Sequence, residues 1–409
     1  MTALLDRVRS HLHGTDDGHR VTPLELFFDL VFVYAITNVA GLMEHDVGGR
    51  TVLQGLIVLA IVWFGWCAYT WLGNQARADE GLLRVAMVVA MAGMFFVAIS
   101  IPYAFDADGN AAIVLVVAYA VVRLTHIAVY LIAAGDDREL RSVISAMGIV
   151  VGAMLTLLTF GAVIGGPAQR WWWMAAVVVD QVGVYFVRST RWRLQSATHF
   201  SERFGLIMII AIGESVVAIG AASSSPQLSA RDGAALVCGL AVAVCLWWLY
   251  FDVVAIVAQG VLQRAAGLDR VRLARDSYTY LHLPMVAGVV FTALGLVLLI
   301  EGHEHVAAGR YALYGGIAGY LGAHLLFRLR NIGSINVARA VTAVAFVAAI
   351  PVMAPADSLI QLIVAAGLLT GLVVFEVRHF RDLREEIRGR ERMGVAPGVE
   401  DPSPGELAT

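Results

Sequence analysis

Two carboxylates, Glu25 and Asp29, stand one helical turn apart in the otherwise apolar stretch "LELFFDLVFVYAIT". Inside a bilayer an ionised carboxylate costs roughly 2.5–3.5 kcal/mol at the centre on insertion scales. Such groups handle ions or protons, or they are held by a partner. Glu25 has a local explanation: Thr22-Pro23-Leu24-Glu25 is a capping box with proline at the first helical position. Its carboxylate would reach back to the helix start at the water interface and need little compensation, which leaves room for a second role. Asp29 lies a turn deeper, out of reach of any helix-end donor. It reads either as a functional group or as a structural hydrogen-bonding group between helices.

Tyr119, Arg123, His126 and Tyr130 recur at i, i+4, i+7 and i+11, which places them on one helical stripe. Arginine is always charged, so Arg123 within an apolar segment requires a carboxylate. Asp29, Asp180 and Glu214 are the candidates, Asp29 the foremost, and the pair would be a structural staple or a transport site. Glu214 lies twelve residues beyond Glu202, roughly 18 Å along a helix at 1.5 Å per residue, hence near mid-bilayer. Asp180 is central in its segment. Asp252, His282 and His324 fall in the cytoplasmic-side third of theirs, and Pro284 should kink the chain just after His282. This collection describes a polar interior opening towards the cytoplasm, with Glu25, Glu202 and Arg203 at cytoplasmic helix starts. The "EGHEH" run from Glu301 to His305 reads as a solvated loop rather than a metal site, and no metal or cofactor is expected. No serine-protease elbow or His-Glu-x-x-His is present, and no Gly-Asp pair of the kind typical of intramembrane aspartyl proteases lies within an apolar span.

The elements that position these residues follow from composition. Of 409 residues 59% are hydrophobic and 15% charged, against about a quarter charged in soluble domains, so the chain reads as an all-α polytopic membrane protein. It has no lysine, which excludes a retinal or pyridoxal phosphate Schiff base and a P-loop. Cys67, Cys238 and Cys245 lie in apolar segments and read as small buried hydrophobes. Residues 1–20 are polar without a signal-peptide core.

Windows of about 20 residues give twelve spans, near 23–42, 51–72, 83–104, 111–134, 142–164, 171–188, 203–222, 233–257, 277–300, 310–328, 336–354 and 358–377. Arginine position tests that division. Twenty-four of the 29 arginines fall on one side, only Arg50, Arg170, Arg231 and Arg310 on the other, mostly in the connections or at span ends, and Arg123 alone lies deep within a span. Both termini are therefore expected in the cytoplasm, with the chain in the plasma membrane. "RHFRDLREEIRGRER" has opposite charges at helical spacing, as in Arg381 and Glu385, and reads as a solvated helix rather than a lipid or partner site. The final residues, rich in proline and glycine, read as disordered.

A faint duplication runs through the chain. "ELFFDLVFVYAITN" from Glu25 aligns with "ERFGLIMIIAIGES" from Glu202. Tyr119, Arg123 and His126 have counterparts in Tyr320, His324 and Arg328, and "WFGWCAYTW" has one in "LWWLYFD". Two parallel six-helix halves would result: a tail at 1–21, halves at 22–190 and 191–378, and a tail at 379–409.

The runs "ELFFDLVFVYAI", "HFSERFGLIMIIAIGESVVA" and "ARDSYTYLHLPMVAGVV", with "RVAMVVAMAGMFFVAISIPYAF", resemble the bacterial low temperature requirement A (LtrA) family. The likeness covers most of residues 21–350. It implies a multi-spanning membrane protein with Glu25, Asp29, Glu202, Arg203, Glu214, Asp276 and His282 in signature positions. The family name records a growth phenotype and supplies no substrate. "FFDLVFVYAIT" is also similar to the Phe-Ser-Asp first helix of two-repeat potassium channels, but Phe28 stands where that motif has serine, and ion selectivity is not carried over. The function expected is a transporter or channel for a small solute or ion, possible coupling to protons included. The alternatives are an intramembrane enzyme acting on lipid, using Asp252, His282 and Glu25, or a non-catalytic membrane stress factor. Expected partners are the bilayer and the solute, not nucleic acid, with an oligomer allowed.

Overall fold

The computed structural model describes residues 21–44, 47–75, 81–106, 109–187, 193–222, 229–302 and 305–392, and all regular structure among them is helical. The N-terminal tail, His303 and Glu304 of the "EGHEH" loop, and the final residues lie outside this set. The chain separates into two compact units between Arg203 and Phe204.

The first unit contains α1 (Pro23–Glu44), α2 (Gly49–Gln75), α3 (Gly81–Ser100), α4 (Ala111–Ala134), α5 (Arg138–Ile164) and α6 (Gly166–Phe186), and ends in the first turns of α7 (Ala197–Ala222). α2 is the most buried of them. The predicted capping box starts α1: the Thr22 hydroxyl accepts the Glu25 N–H at 3.3 Å, and Glu25 Oε2 accepts the Thr22 N–H at 2.9 Å. One side of α1 turns Leu26, Phe27 and Leu30 outward, while Phe28, Asp29 and Phe32 are buried. That is the arrangement of a helix with lipid on one face and polar groups inside.

The second unit contains the rest of α7, then α8 (Ala230–Phe251), α9 (Val254–Arg264) and α10 (Gly267–Leu273). A π-helical turn, Ala274–Tyr280, leads into α11 (His282–Glu301), followed by α12 (Val306–Ile332), α13 (Val337–Val352), α14 (Ser358–His379) and α15 (Arg381–Arg392). In the π turn the Leu281 N–H reaches back five residues to the Asp276 carbonyl. α8 starts with a capping box between Ser229 and Asp232. α11 and α12 touch through glycines. A Cβ on Gly295 would lie 2.2 Å from the Leu313 nitrogen, and one on Gly316 would lie 2.6 Å from the Thr292 nitrogen. Backbones this close leave space only for hydrogen.

Among the described residues nine helical stretches are long and apolar enough to cross a membrane: 23–44, 49–75, 81–103, 111–134, 138–164, 197–222, 230–264, 267–301 and 358–379. The chain is a multi-pass membrane protein. α6, α12 and α13 stand where the other three expected spans lie. α6, with Arg170 and Asp180, and α12, with Arg310, Arg328 and Arg330, are less apolar over their length, and α13 has only 16 residues.

Candidate functional site

One cluster of buried charges in the first unit lies where α1 and α7 begin. Glu25 and Asp29 form an i, i+4 couple on α1, and His199 and Arg203 form one on α7. All four side chains are fully buried. The Arg203 fork divides itself: Nη1 donates to Glu25 Oε1 at 2.8 Å, and Nη2 donates to Asp29 Oδ1 at 2.5 Å. His199 Nε2 sits 3.0 and 3.1 Å from the two Glu25 oxygens. Because a carboxylate only accepts, that nitrogen carries the hydrogen. Trp66 of α2 donates its indole N–H to Asp29 Oδ1 at 2.7 Å. The guanidinium also faces the rings of Trp66 and Phe28 at 5.7 and 6.0 Å.

Local sequence builds this approach. Asn74 ends α2 by donating to the Ser196 carbonyl at 2.6 Å and accepting the Gln195 N–H at 2.8 Å. That clamp holds the start of α7 against α2. Gly73 opens the space, because a Cβ there would lie 2.7 Å from Glu25 Oε1. Two carboxylates share one guanidinium, and the imidazole is the fourth member. Asp29 Oδ2 is buried and accepts no hydrogen bond among the described residues. A buried carboxylate oxygen left unsatisfied is costly and calls for an explanation.

The pairing expected between Asp29 and Arg123 is corrected. Arg123 binds Asp180 through two bonds, Nη1 to Oδ2 at 2.9 Å and Nη2 to Oδ1 at 2.8 Å, and it also reaches the Tyr119 hydroxyl at 3.1 Å. Tyr119, His126 and Tyr130 of its stripe are buried with it, His126 between the rings of Tyr69 and Tyr130. A small cavity lined by Ile61, Phe64, Tyr119, Met154 and Asp180 adjoins the pair. Glu25 is corrected as well. It caps the helix as expected, but it is buried against a cation and an imidazole rather than exposed at an interface. Removing one end of the second pair should also be felt: Asp180→Leu strands Arg123 and should cost about 3–5 kcal/mol, read as lost stability in detergent, whereas Arg123→Met/Asp180→Leu should recover most of it.

In the second unit His282 donates from Nδ1 to the Ser277 carbonyl of the π turn at 3.0 Å and accepts the Tyr250 hydroxyl at 2.8 Å. It stacks on Tyr278 with rings 5.2 Å apart. His324 Nδ1 lies 3.1 Å from Arg339 Nη1, and Arg339 holds Glu376 through bonds of 2.7 and 2.8 Å. Asp276 lies between Arg275 and Arg330, at 2.8 and 3.0 Å. Asp252, at the α8–α9 break, is gripped by Arg384 at 2.6 Å and by Arg388. At the far ends of α8 and α14, the bond from Arg231 holds the exposed Asp357 carboxyl below the usual carboxylate range.

Glu202 and Glu214 are half-buried and join no ion pair among the described residues, so they stand outside these networks. Cys67 and Cys245 are buried and unbridged, and Cys238 is half-buried. Sequence reasoning missed His199, Trp66, Arg339 and Glu376. His199 carried one signal: it precedes Arg203 by four residues, mirroring Glu25 and Asp29.

The family model described as bacterial low temperature requirement A protein (LtrA) matches residues 20–374. An uncharacterized protein of Rhizobium meliloti (strain 1021) is 27% identical over 286 residues, 66% of this chain and 67% of that protein. No solved structure matches.

Proposed function

The chain belongs to the bacterial low temperature requirement A (LtrA) family, and from that premise we propose that it is a plasma-membrane transport protein for a small solute or ion, coupled to protons at Asp29. One observation carries the reading: a fully buried centre with two carboxylates, one guanidinium and one imidazole, in which Asp29 Oδ2 has no hydrogen-bond partner among the described residues. With both carboxylates ionised and His199 neutral, the centre holds one negative charge in excess. One proton or one monovalent cation balances it, and intramembrane carboxylates in such positions mark ion and proton paths. Its depth suits exchange with water, because Glu25 and Asp29 lie in the first two turns of α1 and His199 and Arg203 in the first two of α7. Arg203 keeps the site from holding a second positive charge. The transport cycle would then load a proton on Asp29 from one side and release it on the other, exchanging it against the solute.

The same reading takes α6, α12 and α13 as spans, twelve in all, with both termini cytoplasmic as arginine position requires. The intramembrane-enzyme reading draws less support, since Asp252 and His282 are tied to separate partners.

Purified protein in liposomes loaded with a pH-sensitive dye tests the proposal. Asp29→Asn is expected to lower pH-driven proton movement about tenfold or more while membrane insertion and size-exclusion behaviour stay those of the wild type. Unchanged proton movement in that variant would remove Asp29 from the path.

A further inference from the structure

The C-terminal helix α15 reads from the sequence as a solvated rod, yet Arg384 is only 8% exposed. Arg384 and Arg388, an i, i+4 couple, both grip Asp252. Trp248 lies four residues before Asp252 on α8, so it shares that face. The Arg384 guanidinium stacks against the Trp248 ring at 5.6 Å. Two arginines against one carboxylate leave one positive charge over. Two donors are left over as well: Arg384 Nη1 and Trp248 Nε1 are buried and have no hydrogen-bond partner among the described residues. An unmet buried donor is as costly as an unmet acceptor, and here two occur on side chains in mutual contact.

We propose that Trp248, Arg384 and Arg388 form a binding site for a phosphate oxyanion, supplied in the membrane by an anionic phospholipid headgroup. The chemistry selects that ligand. The vacant groups are all N–H donors with a surplus positive charge, which rejects metal cations. With the other prong of Arg384 held by Asp252, Nη1 and the Trp248 indole N–H can each donate to one oxygen of a phosphate, a charge-assisted pairing. Place selects the source. α8 ends at Phe251 and α14 ends at His379, so the donors sit where apolar helices give way to charge, the level at which tryptophan and arginine meet headgroups. A lipid phosphate seated there would fasten α15 to the end of α8 and make the grip on Asp252 depend on the surrounding membrane.

The full chain in neutral detergent, titrated with phosphatidylglycerol, phosphatidylcholine or inorganic phosphate, tests this through its melting temperature and through native mass spectrometry. Phosphatidylglycerol is expected to raise the melting temperature and remain bound, and phosphatidylcholine to do neither. Trp248→Phe keeps the ring and removes one donor; it should melt like the wild type without lipid and bind phosphatidylglycerol about tenfold more weakly. Arg384→Lys, which keeps the charge and loses the fork, should fall between. Stabilisation by inorganic phosphate equal to that by phosphatidylglycerol, and lost in Trp248→Phe, would keep the oxyanion site but overturn the headgroup as its source. Equal binding by wild type and Trp248→Phe, or equal effects of the two lipids, would overturn the site.

Discussion

Arg203→Met is expected to destabilise the protein by about 3–5 kcal/mol, the range for breaking a buried ion pair by removing one partner. The upper end is expected because this guanidinium serves two carboxylates, Glu25 at 2.8 Å and Asp29 at 2.5 Å, each fully buried. Methionine fills most of the volume, so the loss reports charge rather than a cavity. Unfolding in mixed detergent micelles measures it. Arg203→Met/Asp29→Asn should recover part of the loss, since one of the stranded charges is gone. Arg203→Lys should fall between, because one ammonium cannot reach two carboxylates with separate prongs. Wild-type stability in Arg203→Met would show that the cluster does not hold the first unit together.

Gly295→Leu should be comparably severe for a different reason. Its Cβ would fall 2.2 Å from the backbone nitrogen of Leu313 and 2.6 Å from its Cα. Backbone cannot move aside as a side chain can, so α11 and α12 must separate. Overpacking a well-fitted site costs about 1–3 kcal/mol, sometimes more, and separation also loosens the matching contact of Gly316 with Thr292. Gly295→Ala should already show the effect in milder form. Gly319→Leu on α12, where a Cβ meets nothing within 4 Å, is the control and should leave thermal stability unchanged. If Gly295→Leu melts like that control, the close approach is not what unites the two helices.

The helices were legible in the sequence because apolar length and turn residues decide them locally. The capping box at Thr22 was legible for the same reason, as was the burial of Asp29 and Arg123. What could not be read was which helix faces which. A stripe such as Tyr119, Arg123 and His126 fixes one face of one helix, but the partner depends on packing: the sequence points first to Asp29, and the structure has Asp180. Arg203 was placed among helix-start charges, where arginines are usually solvated. Its burial depends on the Asn74 clamp to Ser196 and Gln195, residues more than a hundred positions away in the chain. Glu376 and Arg339 were overlooked likewise, as charges near helix ends that meet only in the folded second unit.

The π turn at Ala274–Tyr280 makes chain length itself a structural parameter. It stores one residue more than an α-helix would use, and one residue corresponds to about 100° of rotation. Deleting a single residue there could straighten the rod without any unfavourable contact of its own. The cost would appear downstream, where His282 would swing about a quarter-turn away from the Tyr250 hydroxyl it accepts at 2.8 Å. In this segment a change of reading length should therefore disturb more than a change of residue type, because every side chain after it is aimed by the count.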